Sequence, residues 1–291
     1  MRSIVLLAGL VPAFICVQPA QAEDLEWFKG GKLVLTNGVT TIEGTSGGGI
    51  ATWATIAGLE MGNGVGVSGH ATVIELPDYG WQSHGVALGV ANRVEVSYAR
   101  QNFDTRDAGA ALGLGEGYVL NQDVFAVKLR LAGDLVYGDP LLPQISLGVG
   151  YKRSLDGNVA AALGAGGDKG IDYTLSATKL FLSRSVLVNA TLRLTEANQN
   201  GLLGFGSAAG IGNSLQFEGS LAYQFSHRAV AGAEVRTKPD NLGLGEDDWF
   251  DLFAAYAVTD KITLTAAYAD LGSIATLEDQ NGAFLSAQLA F

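Results

Sequence analysis

Apolar and polar residues alternate along most of the chain. In SVLVNATLRLTEA, residues 185–197, Val186 and Val188 lie on one face of an extended segment, and Asn189 and Arg193 lie on the other. A period of two residues is typical of a β-strand with one apolar and one polar face. The pattern therefore predicts an all-β protein.

Fourteen such strands are predicted between residues 31 and 291, and their connections alternate in length. Tight turns such as 182–184 and 259–261 alternate with loops rich in Gly and Asp, such as 155–169 and 198–213. Short periplasmic turns and long extracellular loops are typical of outer-membrane barrels. We therefore predict a transmembrane, antiparallel, up-and-down β-barrel whose apolar face meets lipid and whose polar face lines the lumen.

The first two predicted strands, 31–43 and 48–58, alternate poorly and are rich in Gly. They can complete a barrel of fourteen strands. Alternatively, residues 31–58 fold into the lumen as a plug, which leaves twelve strands. Both counts are even, as single-chain bacterial barrels require.

Aromatic residues on the apolar face are predicted to form two girdles, because interfacial aromatics sit at the headgroup level on each side of a membrane. The outer girdle comprises Phe125, Tyr151, Tyr173, Phe217, Phe250 and Tyr268. The inner girdle comprises Phe181, Tyr223, Phe225, Tyr256 and Phe291.

The chain ends in GAFLSAQLAF, where Phe291 follows apolar residues two, four and six positions earlier. A terminal Phe with this spacing resembles the signal that bacterial barrel-assembly machinery recognises. Closure of the barrel also requires the last strand to pair, because unpaired backbone groups in lipid cost several kcal/mol each. We therefore predict the assembly machinery as a partner that binds this strand.

The N-terminus has the features of a secretory signal peptide, namely a short basic region, an apolar run and an Ala-Gln-Ala cleavage site. The predicted boundaries are 1–22 for the signal peptide, 23–30 for a periplasmic segment and 31–291 for the outer-membrane barrel. The only cysteine, Cys16, lies in the leader, so the mature chain is expected to contain no disulfide and no thiolate metal site. These features predict the outer membrane of a Gram-negative bacterium.

The formal net charge is −11, which disfavours nucleic acid as a partner. Outer-membrane lipid and lipopolysaccharide are the expected surroundings. The acids concentrate in the predicted loops, and a mixed-charge lumen below an acidic mouth is expected to admit cations and polar solutes. The lumen-lining residues predicted from alternation are Lys128, Arg130, Lys152, Arg193, Glu218, Glu234, Arg236 and Lys238.

Four stretches resemble a proteobacterial family of exported proteins catalogued as domain of unknown function three-thousand-thirty-four. They are VEVSYARQNFDT (94–105), LFLSRSVLVNATLRLTEANQNGLLGFG (180–206), RTKPDNLG (236–243) and DDWFDLFAAYAVTDKITLTAAYADLG (247–272). The resemblance covers essentially the whole mature chain. It implies an uncharacterised β-barrel, and it implies no activity and no functional residues.

Candidate catalytic and metal-binding residues are few. Ser83 and His84 are adjacent, so in a strand they point to opposite faces and cannot pair as nucleophile and base. No Gly-x-Ser-x-Gly or His-x-x-x-His spacing occurs. The acidic cluster Glu246-Asp247-Asp248 is interpreted as a solvated loop. No catalytic residue, metal or cofactor is predicted.

The predicted function is that of a narrow porin-like channel for small polar solutes or cations. A closed structural or adhesive barrel is the alternative, because twelve to fourteen strands lie between side-chain-filled small barrels and open porins. An outer-membrane lipid hydrolase is a third possibility. The pattern does not predict the oligomeric state.

Overall fold

A computed structural model describes residues 25–28 and 30–291. The predicted signal peptide lies outside the described residues. Twelve long antiparallel strands dominate the fold. They are β1 (Gly64–Glu75), β2 (Gly80–Val90), β3 (Val94–Asp104), β4 (Val119–Ala132), β5 (Gln144–Ser154), β6 (Lys169–Phe181), β7 (Val186–Thr195), β8 (Ser214–Ser226), β9 (Ala229–Arg236), β10 (Trp249–Ala257), β11 (Ile262–Asp270) and β12 (Asn281–Ala290).

The strands close into a barrel. Each pairs with its neighbours in the sequence, and β12 pairs with β1 from Ala283↔Glu75 to Ala290↔Ser68. One additional two-residue strand, Glu26–Trp27, lies parallel to the start of β1. The fourteen-strand count is not confirmed, because twelve strands complete the barrel.

Connections at one end of the barrel are mostly tight turns, and most of those at the other end are long loops. We call these the turn end and the loop end. The loops contain two short helices, α1 (Arg106–Ala111) and α2 (Gly157–Ala162). Phe291 lies at the turn end, directly after β12. No helix among the described residues is long and apolar enough to cross a membrane.

The outer wall is a continuous apolar surface. Leu221 and Leu252 are 60% and 54% exposed and lie on either side of Ala233. An apolar outer wall suits contact with lipid. Successive side chains of a barrel strand alternate between lipid and lumen, so the polar side chains point into the lumen. Phe125 lies opposite Tyr98 near the middle of the wall. The predicted interface aromatics that are at least one third exposed are Phe125, Tyr151, Tyr173, Phe217, Tyr223, Phe225, Phe250, Tyr256 and Tyr268, whereas Phe181 and Phe291 are half-buried.

Residues 30–60 fill the lumen, and we call this segment the plug. Every residue from 36 to 58 is buried. Its only regular structure is a small hairpin, in which Val39–Thr40 pairs with Ser46–Gly47. The predicted barrel strands 31–43 and 48–58 are therefore wrong, and the plug alternative is what the structure shows. The alternation is missing because side chains on both sides of this segment contact protein.

Glycine lets the plug approach the wall closely. A Cβ at Gly48 would lie 1.7 Å from Glu234 Oε1, and a Cβ at Gly47 would lie 2.6 Å from the Ala51 carbonyl oxygen. Side chains essentially never make such short contacts, so Gly47 is a packing requirement of the plug, and a side chain at Gly48 would require Glu234 to move.

The loop between β7 and β8 folds inward from the loop end. Residues 197–206 are buried, and they include a 3₁₀ turn at Asn198–Gly201. Beside it, Trp81 packs edge-on against Trp249 with ring centroids 5.6 Å apart, and the plug residues Ile42 and Ile50 join this apolar cluster. Plug and loop therefore fill the lumen from opposite ends.

Candidate functional site in the barrel lumen

Three cationic side chains from different strands meet inside the barrel. They are Lys152 on β5, Arg193 on β7 and Arg236 on β9, all at inward positions of the alternating pattern. Their side chains are at most 6% exposed. Buried cations need nearby acids, because an unpaired charge in the interior costs several kcal/mol.

The central acid comes from the plug. Glu43 Oε1 accepts from Lys152 Nζ at 2.7 Å and from Arg236 Nη2 at 2.7 Å. Glu43 Oε2 lies 3.0 Å from Arg193 Nη2. One plug carboxylate is therefore held by three wall cations.

Two wall acids complete the cluster. Asp172 Oδ2 lies 2.8 Å from both Lys152 Nζ and Arg193 Nη1. Glu218 Oε1 lies 2.5 Å from Arg193 Nε and 3.6 Å from Arg236 Nε. Three cations and three acids balance only when Glu43 is present.

The inward loop joins the same cluster through Asn200. Its Oδ1 accepts from Lys152 Nζ at 2.8 Å and from Arg236 Nη2 at 2.9 Å. Lys152 and Arg236 therefore each hold both the plug and the loop.

A second set of contacts joins the plug to Glu234 on β9. The backbone N–H groups of Ile50 and Ala51 donate to its Oε2 at 2.9 and 3.3 Å. Trp53 Nε1 donates to Oε1 at 3.2 Å, as does Ser220 Oγ at 2.6 Å. Glu234 has no ion pair among residues 25–28 and 30–291. Three of these four hydrogen bonds come from the plug, so the plug supplies most of the partners of this carboxylate.

Nearer the turn end, Glu95 and Lys128 hold the plug backbone. Glu95 accepts from the N–H groups of Ser46 at 3.1 Å and Ala57 at 2.7 Å. Lys128 Nζ donates to the carbonyl oxygens of Ser46 at 2.7 Å and Thr55 at 3.0 Å. The wall therefore binds the plug largely through charged side chains.

The eight lumen residues predicted from the sequence do not form one site. Lys152, Arg193, Glu218 and Arg236 meet in the cluster around Glu43. Glu234 and Lys128 bind other parts of the plug. Arg130 lies at the turn end, where its Nη2 is 2.9 Å from Asp134 Oδ2.

Lys238 lies beyond β9 among the loops. Its Nζ donates to Glu246 Oε2 at 2.7 Å and to the Ser273 carbonyl oxygen at 2.7 Å. Burial lowers the pKa of Lys238, and the nearby Glu246 partly offsets that effect. Part of the acidic cluster predicted as a solvated loop is thus engaged with protein.

Lys32 lies in the plug, before the first barrel strand. Its Nζ donates to the carbonyl oxygens of Ile56 at 2.5 Å and Gly58 at 3.0 Å. Burial lowers the pKa of Lys32 to about 7, and the positive charges of Arg130 and Lys128 add to this effect, which Glu95 opposes.

The lumen is closed in this conformation. Four internal cavities along the plug and the wall have volumes of about 10 to 20 Å³ each. A space of this size holds about one water molecule. Arg193 and Glu218 are 3% and 0% exposed, so no continuous water path passes them.

Ser83 has a histidine partner that the sequence pattern did not indicate. Its Oγ lies 3.1 Å from His70 Nε2, across the β1–β2 pair, whereas His84 points outward. The Ser83 hydroxyl donates to the Ile42 carbonyl oxygen at 2.7 Å, and His70 Nδ1 has no hydrogen-bond partner in the described part of the chain. A catalytic triad needs a third group that orients the histidine, and this pair is also buried beneath the plug.

Sequence reasoning missed Glu43 and Asn200, the two residues that join the plug and the loop to the wall cations. Both lie outside the alternating segments. The sequence feature that could have indicated Glu43 is a single acid in the stretch TTIEGTS, which otherwise has small or uncharged residues and in which Gly44 permits a tight turn.

A family model described as protein of unknown function (DUF3034) matches residues 36–288. The chain belongs to this family. The matched range begins at Thr36, the first residue of the fully buried stretch, so plug and barrel are parts of one DUF3034 domain. A search of curated protein sequences found no match.

Solved structures of porins share the fold of this DUF3034 protein. The structure titled KdgM porin matches with a TM-score of 0.52 and 10% identity, covering 77% of this chain and 99% of that chain. The NanC porin structure matches with a TM-score of 0.50 and 10% identity, covering 77% and 98%. At this identity the comparisons show the fold alone, which is that of a small porin barrel.

Proposed function

We propose that this protein is a narrow porin-like channel of a Gram-negative outer membrane, and that the plug is its gate. The turn end faces the periplasm and the loop end faces outward, as in outer-membrane barrels. The solutes are small and polar. Acidic loops at the outer mouth favour cations and small polar solutes over multivalent anions, and the lumen cluster with its three cations sets selectivity further in.

The observation that carries this proposal is the chemistry of the wall behind the plug. The lumen positions that face the plug include Glu95, Lys128, Lys152, Arg193 and Glu218, all buried. Burying ions costs more than burying apolar groups of similar volume. A charged wall is suited to a lumen that admits water and solutes when the plug leaves.

Permeation into proteoliposomes tests the proposal. Trp53 of the plug is 3% exposed and packs in a cluster with Leu180 and Phe253 of the wall. Trp53→Ala removes this packing, at a cost of about 3–5 kcal/mol for the docked plug. Trp27→Ala is the matched control, since Trp27 is 62% exposed on the outside.

We expect Trp53→Ala vesicles to swell in arabinose much faster than wild-type or Trp27→Ala vesicles. A correctly folded Trp53→Ala barrel that excludes arabinose would contradict the proposal.

A closed structural or adhesive barrel is the second candidate. It is favoured by the filling of the lumen from both ends, since the plug and residues 197–206 are both buried. This candidate predicts that every folded plug variant stays impermeable.

A further inference from the structure

We propose that Lys152, Arg193 and Arg236 form a binding site for the carboxylate of a small hydroxylated acid. This inference rests on the channel function proposed above. In the closed state Glu43 of the plug occupies this site. The solute and the gate therefore compete for the same three cations.

The geometry around Glu43 resembles the binding of a ligand carboxylate. Lys152 and Arg236 approach one oxygen and Arg193 approaches the other, at distances of 2.7 to 3.0 Å. Arg–carboxylate contacts of this length are charge-assisted and directional. All three cations stay on the barrel wall when the plug moves, because they belong to strands.

Glu43 is presented at the tip of a tight turn. The Thr41 N–H donates to the Thr45 carbonyl oxygen at 2.9 Å, and the Gly44 N–H donates to the Thr41 carbonyl oxygen at 2.9 Å. Gly44 has φ = +88°, a conformation that favours glycine. Glu43 is thus the one carboxylate of this short projecting turn, and a free acid can take its place.

The local charge of the cluster around Glu43 favours an acid as the solute. Asp172 and Glu218 are the wall acids in contact with these cations, and each already contacts two of them. Without Glu43 the cluster has three cations and two acids. Within this cluster a monocarboxylate replaces the charge of Glu43, whereas a neutral sugar or a metal cation does not.

Unpaired polar atoms beside the cluster indicate a hydroxyl group on the solute. Asn200 Nδ2 and Gln122 Oε1 are buried and have no hydrogen-bond partner in the described residues. The Gln122 side chain lies beside Asn200, because its Nε2 donates to the Asn200 backbone carbonyl oxygen at 3.0 Å. A hydroxyl can accept from the first atom and donate to the second.

The test uses glucuronate as the probe and glucose as its neutral counterpart, on the full-length mature protein. Glu43→Ala vacates the site. We expect Glu43→Ala proteoliposomes to take up glucuronate at least tenfold faster than glucose at low concentration, and titration calorimetry in detergent to detect glucuronate binding to this variant.

Adding Arg236→Gln or Lys152→Gln to Glu43→Ala should abolish both the preference and the binding. Two second-site variants are used in case one fails to fold, and folding is checked by heat-modifiable gel mobility. The charge-matched control is Glu43→Ala with Arg228→Gln, because Arg228 pairs with Asp260 at an exposed turn. This control should keep both properties.

Two failures are distinguishable. Equal uptake of glucuronate and glucose by Glu43→Ala, without calorimetric binding, would overturn the carboxylate site and leave the channel intact. Folded variants that admit neither solute would overturn the channel, and the inference that rests on it.

Discussion

Replacing Gly48 by alanine should open the barrel. Gly48 does not have a positive φ, so alanine adds no backbone strain there. The added methyl would lie 1.7 Å from Glu234 Oε1. Either Glu234 moves or the plug leaves the wall.

The size of the effect follows from the hydrogen bonds of Glu234. Three plug N–H groups donate to it, from Ile50, Ala51 and Trp53. Hydrogen bonds to charged groups contribute about 1.5–3 kcal/mol each. Losing two of them weakens docking of the plug by about 3–6 kcal/mol, and at about 1.4 kcal/mol per tenfold change the ratio of open to closed states rises by about 10² to 10⁴.

The assay is open probability in single-channel recordings at fixed voltage, with gel mobility to confirm a folded barrel. Gly150→Ala is the matched control, since a Cβ there would meet only Asp172 Cβ at 4.0 Å, an ordinary contact on the same wall. A folded Gly48→Ala barrel whose open probability equals that of Gly150→Ala would refute the role of this contact in closing the lumen.

Three further predictions follow from the buried charges and from the C-terminus. Arg193→Met should lower the free energy of unfolding by about 3–5 kcal/mol in urea titrations, because it leaves buried acids without their cation. Arg228→Met breaks an exposed pair and should lower it by less than about 1 kcal/mol. Equal losses for the two variants would contradict this prediction. The pKa of Lys32 is about 7 in the docked plug and 10.5 when the side chain is free. Between these pH values the undocked plug binds more protons than the docked plug. Docking of the plug therefore becomes more favourable as the pH rises from about 7 to 10.5. The open probability should therefore fall between pH 7 and pH 9 in the wild type but not in Lys32→Met. A wild-type open probability that does not change with pH would count against this role of Lys32. Deleting Phe291, whose carbonyl oxygen accepts from Leu59 and Val67 N–H groups, should reduce the yield of assembled barrel in outer-membrane fractions, and an unchanged yield would exclude a role in assembly.

The barrel could be predicted from the sequence because a lipid-facing wall imposes a strict two-residue period. Segments such as 185–197 carry that period, and the structure places β7 there. The plug could not be assigned with the same rule. Residues 36–58 contact protein on all sides, so small and polar residues occur there without alternation.

The lumen cluster could be predicted only in part. Arg193, Glu218 and Arg236 lie at inward positions of regular strands, so the alternating pattern points to them. Glu43 and Asn200 reach the same place from irregular segments, and their positions depend on contacts that have no local sequence signature. The pairing of plug and wall is a tertiary feature.

Single-channel recording of the refolded protein in a planar bilayer, with a salt gradient, tests the gated channel most directly. For a gated channel we expect a wild-type barrel that is mostly closed with discrete openings, and a Gly48→Ala barrel that is mostly open. Folded barrels that remain silent in the wild type, Gly48→Ala and Glu43→Ala alike would contradict it.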